Sequence, residues 1–147
     1  MLIMAACGMS CTDTAVLDEN VAIENRAWLY EDQPRLTAHI TDVTIPYNVY
    51  LNLRHTPDYP YSNIFVLVHQ HAPNGRDTTE RVELTLAEPD GRWLGKGNGS
   101  VYTHQHLIHE AVHFPDTGNY VFTLEQNMRE NPLREITDVG IRVEPTP

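Results

Sequence analysis

Tyr47-Asn48-Val49-Tyr50-Leu51-Asn52-Leu53-Arg54 is the stretch that decides the fold class. Tyr47, Val49, Leu51 and Leu53 alternate with Asn48, Tyr50, Asn52 and Arg54, the period of two expected of a strand with one buried and one solvated face. The pattern recurs along the chain: Val82, Leu84 and Leu86 alternate with Glu83 and Thr85, and Tyr120, Phe122 and Leu124 with Val121, Thr123 and Glu125. Val139, Ile141 and Val143 close the series. Ile64 to Val68 is an unbroken apolar run and predicts a central strand covered on both faces. Between these runs lie Ala72-Pro73-Asn74-Gly75, Glu88-Pro89-Asp90-Gly91 and Phe114-Pro115-Asp116-Thr117-Gly118. Each sets proline where φ near −65° is wanted and glycine or asparagine where φ is positive. Strand, turn and strand at this spacing predict an all-β fold, an antiparallel β-sandwich that is jelly-roll-like or immunoglobulin-like. Only Met128 to Leu133 suggests a helical turn, cut short by Pro132.

Composition narrows the function classes. A chain of 147 residues with 41% hydrophobic residues is the size of one domain with a real core. Ten basic against twenty acidic residues leave a formal charge of −10. That charge opposes binding to a phosphate backbone or an anionic bilayer surface, so nucleic acid is not an expected partner.

Leu2-Ile3-Met4-Ala5-Ala6-Cys7 has the form of the end of a bacterial lipoprotein signal, in which small residues precede a cysteine that is then lipidated. The run is shorter than a full signal and lacks its basic n-region, so it reads as a remnant. Cys11, after Met9-Ser10, is the alternative acceptor. The plainer reading of Cys7 and Cys11 is a small disulfide or two free thiols. Both precede the domain, which therefore relies on its core alone. No other segment approaches the roughly 18–20 apolar residues that cross a bilayer, so attachment would come from the lipid. The expected layout is residues 1–11 as signal remnant, 12–25 as a polar flexible tether and 26–145 as a single sandwich domain.

Other residue patterns admit chemistry and a plainer reading side by side. His69 and His71 share a strand face, as do His104 and His106, with His109 and His113 nearby. Such pairs can chelate zinc, copper or nickel, or simply be surface histidines; no downstream Glu and His complete a cupin-type metal motif. Gly95-Lys96-Gly97-Asn98-Gly99 lacks the spacing of a phosphate loop. It reads instead as a sharp turn beside Trp93 and Leu94, which would plug one end of the sandwich. Tyr59 and Tyr61, with Trp28 and Tyr30, could stack on sugar rings, or could form a rigid corner covering an edge. With neither GxSxG nor HExxH present, and with Glu83, Glu110 and Glu125 at polar strand positions, no catalytic residue and no cofactor is expected.

Three segments resemble a known family in order and spacing: Leu53-Arg54-His55-Thr56-Pro57-Asp58-Tyr59-Pro60-Tyr61-Ser62-Asn63, Asp90 to Gly99 with Arg92, Trp93 and Gly95, and Tyr120 to Arg129 with Gln126, Asn127 and Met128. With the closing Asp138 to Val143 they resemble the GldH-type gliding motility lipoproteins of the Bacteroidota cell envelope, over about Trp28 to Val143. The resemblance implies a lipid-anchored envelope protein facing the periplasm or cell surface. It implies a non-enzymatic accessory or scaffold role in the gliding and type IX secretion-related machinery, with that machinery's envelope proteins as partners. It also makes Arg54, Tyr61, Asn63, Arg92, Trp93, Gly95, Gln126, Asn127, Met128 and Arg129 the candidates for whatever the family shares. Gln126 to Arg129 suit either a contact surface or a structural corner. A metal-binding or carbohydrate-binding sandwich is the alternative.

Overall fold

A computed structural model describes residues 13–147. Cys7 and Cys11, and the lipidation expected at one of them, lie outside the described residues. Eight long strands carry the fold: β1 (Leu17–Ala22), β3 (Arg35–Ile40), β4 (Tyr47–His55), β5 (Asn63–His71), β6 (Asp77–Thr85), β8 (Tyr102–Val112), β9 (Gly118–Gln126) and β11 (Ile136–Pro145). Three two-residue strands, β2 (Ala27–Trp28), β7 (Lys96–Gly97) and β10 (Leu133–Arg134), and a 3-10 turn at Glu24–Arg26 complete it.

One sheet runs β1-β11-β4-β8-β7 and the other β3-β9-β5-β6, every pairing antiparallel. Apart from the β5–β6 hairpin, successive long strands cross between the sheets in the order that defines a jelly roll, which resolves the two sandwich topologies the pattern left open. The predicted inward rows are the observed ones. Tyr47, Val49, Leu51 and Leu53 of β4, Tyr120, Phe122 and Leu124 of β9, and Val139, Ile141 and Val143 of β11 are all buried. They meet Trp28, Leu36, Ile40, Ile64, Val66 and Leu86 in one core. The turns follow their residues: Gly75 and Gly91 have φ of 87° and 88°, and their amides close turns onto Ala72 and Glu88.

Four expectations need correction. β5 is central but buries one face only: Ile64, Val66 and Val68 point inward, while Phe65 and Leu67 lie on the outer face, where the Arg81 guanidinium covers Phe65 at 3.7 Å. Met128 to Leu133 forms no helical turn; it is a bent segment leading into β10, whose Leu133 pairs with Trp28. Its chain is held by tertiary hydrogen bonds that a local pattern does not encode. Leu94 does not plug the sandwich and is 49% exposed, although Trp93 does pack inward. The tether expected over 12–25 also contains ordered structure, since residues 17–22 are β1, paired with β11 along its length. Leu17 is buried, but the polar outward residues of β1 leave too little alternation to mark a strand.

Two contacts fix β1 in place. Asp13 forms a two-pronged pair with Arg142 at 3.0 Å for each oxygen, and Asp18 and Glu144 close on the same guanidinium at 2.6 and 2.7 Å. These partners hold the guanidinium firmly in its charged form. Gly140 of β11 sits opposite Asn20, and a methyl group there would collide with the Glu19 carbonyl and Asn20 Oδ1. Gly140→Ala should therefore cost about 1–3 kcal/mol, as overpacking does. Urea unfolding checks the cost, and hydrogen exchange should show the β1 amides losing protection first; an unaffected variant would mean that β1 is not seated as described.

Candidate functional site

Strand ends divide the sandwich into two poles. Leu17, Tyr47, Val112 and Pro145 share one pole with the start of the described chain. At the other, β4 ends at His55, β5 begins at Asn63, β6 ends at Thr85 and β9 ends at Gln126. Among the buried polar side chains, Asn52, His55, Thr56 and Gln126, two at this second pole occupy the inward position that continues an apolar row: Gln126 after Tyr120, Phe122 and Leu124, and His55 after Leu51 and Leu53.

Gln126 is 1% exposed. Its Oε1 accepts the Met128 amide at 2.8 Å, and its Nε2 donates to the Glu130 carbonyl at 2.7 Å and, more weakly, to the Trp28 carbonyl at 3.4 Å. One side chain thus supplies the hydrogen bonds that fold 127–130 back over the strand end. Tyr30 and Tyr61 brace the same loop, the first donating to the Met128 carbonyl at 2.6 Å and the second to the Glu130 carboxylate at 2.7 Å. That carboxylate raises the pKa of the Tyr61 hydroxyl. Met128 Sδ lies 3.3 Å from the Phe65 amide, and the Asn127 amide donates to the Phe65 carbonyl at 2.9 Å.

His55 is fully buried among Tyr59, Trp93, Tyr102 and His104, with ring centroids 4.5–5.8 Å away. Its Nδ1 is 2.8 Å from the Thr56 carbonyl, which can only accept, so Nδ1 carries the proton. His55 Nε2 is then an acceptor, and His104 Nε2, 2.9 Å away, donates to it. Both rings favour the neutral form. Burial is the main cause in each case, lowering the pKa of His55 and pushing that of His104 down to about 4 with help from His55. Gly95 permits this approach, because a Cβ there would stand 2.6 Å from His104 Nε2.

The resemblance residues, far apart in sequence, all gather at this second pole and fall into two groups. Trp93, Gly95, Gln126, Met128 and Asn63 build the end: Asn63 gives its carbonyl to the Tyr59 hydroxyl at 2.8 Å and its amide to Glu83 at 3.1 Å. Arg54, Tyr61, Arg92 and Arg129 are exposed. Asn127 joins Arg81 at 2.8 Å. The histidine pairs are not brought together. His69 and His71 lie on the outer face of β5, engaged with Glu125 at 2.9 Å and Asp77 at 2.5 Å, whereas His104 and His106 belong to the other sheet. Among the described residues no three His, Cys, Asp or Glu side chains are grouped to hold a metal. Of the aromatics considered for sugar stacking, Trp28 and Tyr59 are 0% and 3% exposed and present no face to solvent. His55 escaped the sequence reading, although its place at the end of the β4 inward row marked it as buried.

A jelly roll with one pole built from interlocked loops and studded with exposed arginines defines a β-sandwich module of the kind that presents a loop surface on a rigid scaffold. The chain belongs to the GldH lipoprotein family, which matches residues 15–143, a span that takes in β1. A gliding motility lipoprotein GldH homolog from Christiangramia forsetii is 32% identical over 142 residues, covering 92% of this chain and 86% of its own. Gliding motility lipoprotein GldH from Flavobacterium johnsoniae is 30% identical over 151 residues, covering 98% and 93%. Membership places the chain among membrane-anchored envelope lipoproteins. A solved arabinose-bound α-L-arabinofuranosidase aligns at a TM-score of 0.40 and 15% identity, over 80% of this chain and 18% of the other, a likeness too slight to carry an argument.

Two measurements test the polar joints. Gln126→Leu strands the Met128 amide and the Glu130 carbonyl and should cost about 1–3 kcal/mol in urea unfolding; a neutral variant would show that the loop is held otherwise. For the imidazole pair, the unfolded histidine binds its proton near pH 6.5, whereas folded His104 does so only near pH 4. The unfolded state takes up more protons in that window, so stability falls as pH drops through it. His104→Gln keeps a donor to His55 and should make the decline shallower; equal slopes would refute the assignment.

Proposed function

We propose that this protein is a lipid-anchored, non-enzymatic adaptor of the gliding and type IX secretion-related machinery, working by contact with other envelope proteins. The observation that carries this reading is the polarity of the domain. The described chain starts at one pole, so a lipid on Cys7 or Cys11 would hold that pole toward the membrane. The exposed residues of the family-like segments lie at the other, about 30 Å away along nine-residue strands at ~3.4 Å per residue. Arg54, Tyr61, Arg92 and Arg129 are of the residue types that dominate protein interfaces. Exposure leaves the Arg54 and Arg129 side chains open to a partner, while Gln126 and His55 keep their loops in one shape. The domain would face the periplasm or the cell surface.

The test is a crosslinked pull-down of the full-length lipoprotein from native envelopes, read by mass spectrometry. The protein should recover gliding or secretion components that a Cys7→Ala, Cys11→Ala control does not. Arg129→Glu with Arg54→Glu, both at exposed positions, should reduce that recovery at least tenfold without altering the unfolding midpoint. Recovery of only abundant envelope proteins would overturn the adaptor reading.

A further inference from the structure

The two sides of the sandwich close differently. On one side β1 packs against β3. On the other, β6 and β8 end their sheets facing each other across a seam, bridged by His109 and Glu80 at 2.8 Å. Toward the loop pole this seam opens into a cleft of about 600 Å³ lined by Leu84 and Thr85 of β6, Leu94, Gly95 and Lys96, and β8 from Thr103 to His106, within the range of binding pockets.

The wall of this cleft is an unpaired strand edge. β7 pairs with β8 only at Tyr102 and Thr103, and beyond them β8 has a hydrogen-bonding partner on one side alone, β4, among the described residues. Alternate N–H and C=O groups of a strand in that position point away from its sheet and are open to another chain. The other outer strands are blunted: β6 carries Asp77, Glu80, Arg81 and Glu83, β1 carries Asp18 and Glu19, and β3 spans six residues. β8 from His104 to Leu107 carries no Asp, Glu, Lys or Arg, and Leu107 is 38% exposed. The register with β4 shifts between Tyr50 and Val49, so the regular edge ends near Leu107, one residue past His106, the last of the cleft lining.

We propose that this edge captures an extended, carboxylate-bearing peptide segment of a partner protein, which adds a strand to β8 in line with β7. This deepens the adaptor reading and rests on it for the partner's origin, though not for the binding itself. Charge selects the occupant: in a protein of net charge −10, the cleft lining includes Lys96 and no carboxylate, and exposed Arg54 lines an adjoining hollow that shares Lys96 and Thr103 with it and also holds Asp138. The groove shape favours a single strand over a second copy, since a whole sandwich edge would have to pass between β6 and β8. Backbone pairing supplies the affinity and alternate side chains the specificity, as in other strand-addition complexes.

The test uses the full chain in detergent with synthetic nonapeptides of alternating valine and glutamate. Binding should protect amides between Gln105 and Leu107 from hydrogen exchange. The valine–lysine counterpart should bind at least tenfold more weakly, as should a valine–glutamate peptide N-methylated at every second residue. Lys96→Glu, at an exposed position, should weaken binding at least tenfold without changing the unfolding midpoint. Equal binding of the N-methylated peptide, or no protection at 105–107, would overturn the proposal. Protection that rises with protein concentration without peptide would overturn it in favour of a second copy. Peptide binding that holds while the envelope pull-down fails would reject the gliding partners and keep the strand-capture edge.

Discussion

β4 lies between β11 and β8, and its inward side chains are sealed from Tyr47 to His55. The rest of the molecule depends on that row. A strand buried along its inner face must end in either an apolar or a satisfied polar side chain. β4 ends in His55, and β9, the equivalent strand of the other sheet, ends in Gln126. Each is thereby obliged to find partners at one pole. Gln126 finds them in the backbone of 128–130, and His55 in Thr56 and His104. The loops of that pole are shaped by the need to satisfy buried groups, so a surface that could have been mobile is tied to the core.

This explains why the residues of the family-like segments divide as they do. Gln126, Trp93 and Gly95 have their positions because something buried must be matched or approached closely: a carbonyl, an imidazole, a neighbouring strand. Arg54, Arg92 and Arg129 answer to no such demand within the domain. Of Gln126 to Arg129, readable as either a corner or a contact surface, the glutamine forms the corner and Arg129 faces solvent.

Much of the fold was legible because alternation is a local consequence of burying one face. The rows of β4, β6, β9 and β11 stand in the sequence with their turns, and even the buried polar ends occupy the expected register. β1 was not legible, since it packs through few apolar residues and is held by Arg142, over a hundred positions away. Nor was the pairing of His55 with His104, which arises because strands 49 residues apart become neighbours. The pairs suggested by spacing, His69 with His71 and His104 with His106, share strand faces as expected, but His69, His71 and His104 answer to the strands next to them rather than to their neighbours in sequence.

The attachment of β1 has a mechanical side. If the proposed anchor and partner hold opposite poles, tension would run along the strand axes, and β1 would be the first element to bear it. It lies antiparallel to β11 over Leu17 to Ala22, and the pull would act lengthwise on that pair. Loaded this way, the rungs of the ladder share the force in shear, whereas a sideways pull would break them one after another like a zip. The Asp13–Arg142 clamp sits ahead of the ladder and takes up strain before any rung does. A domain built so can transmit a steady drag between two surfaces while its core remains folded.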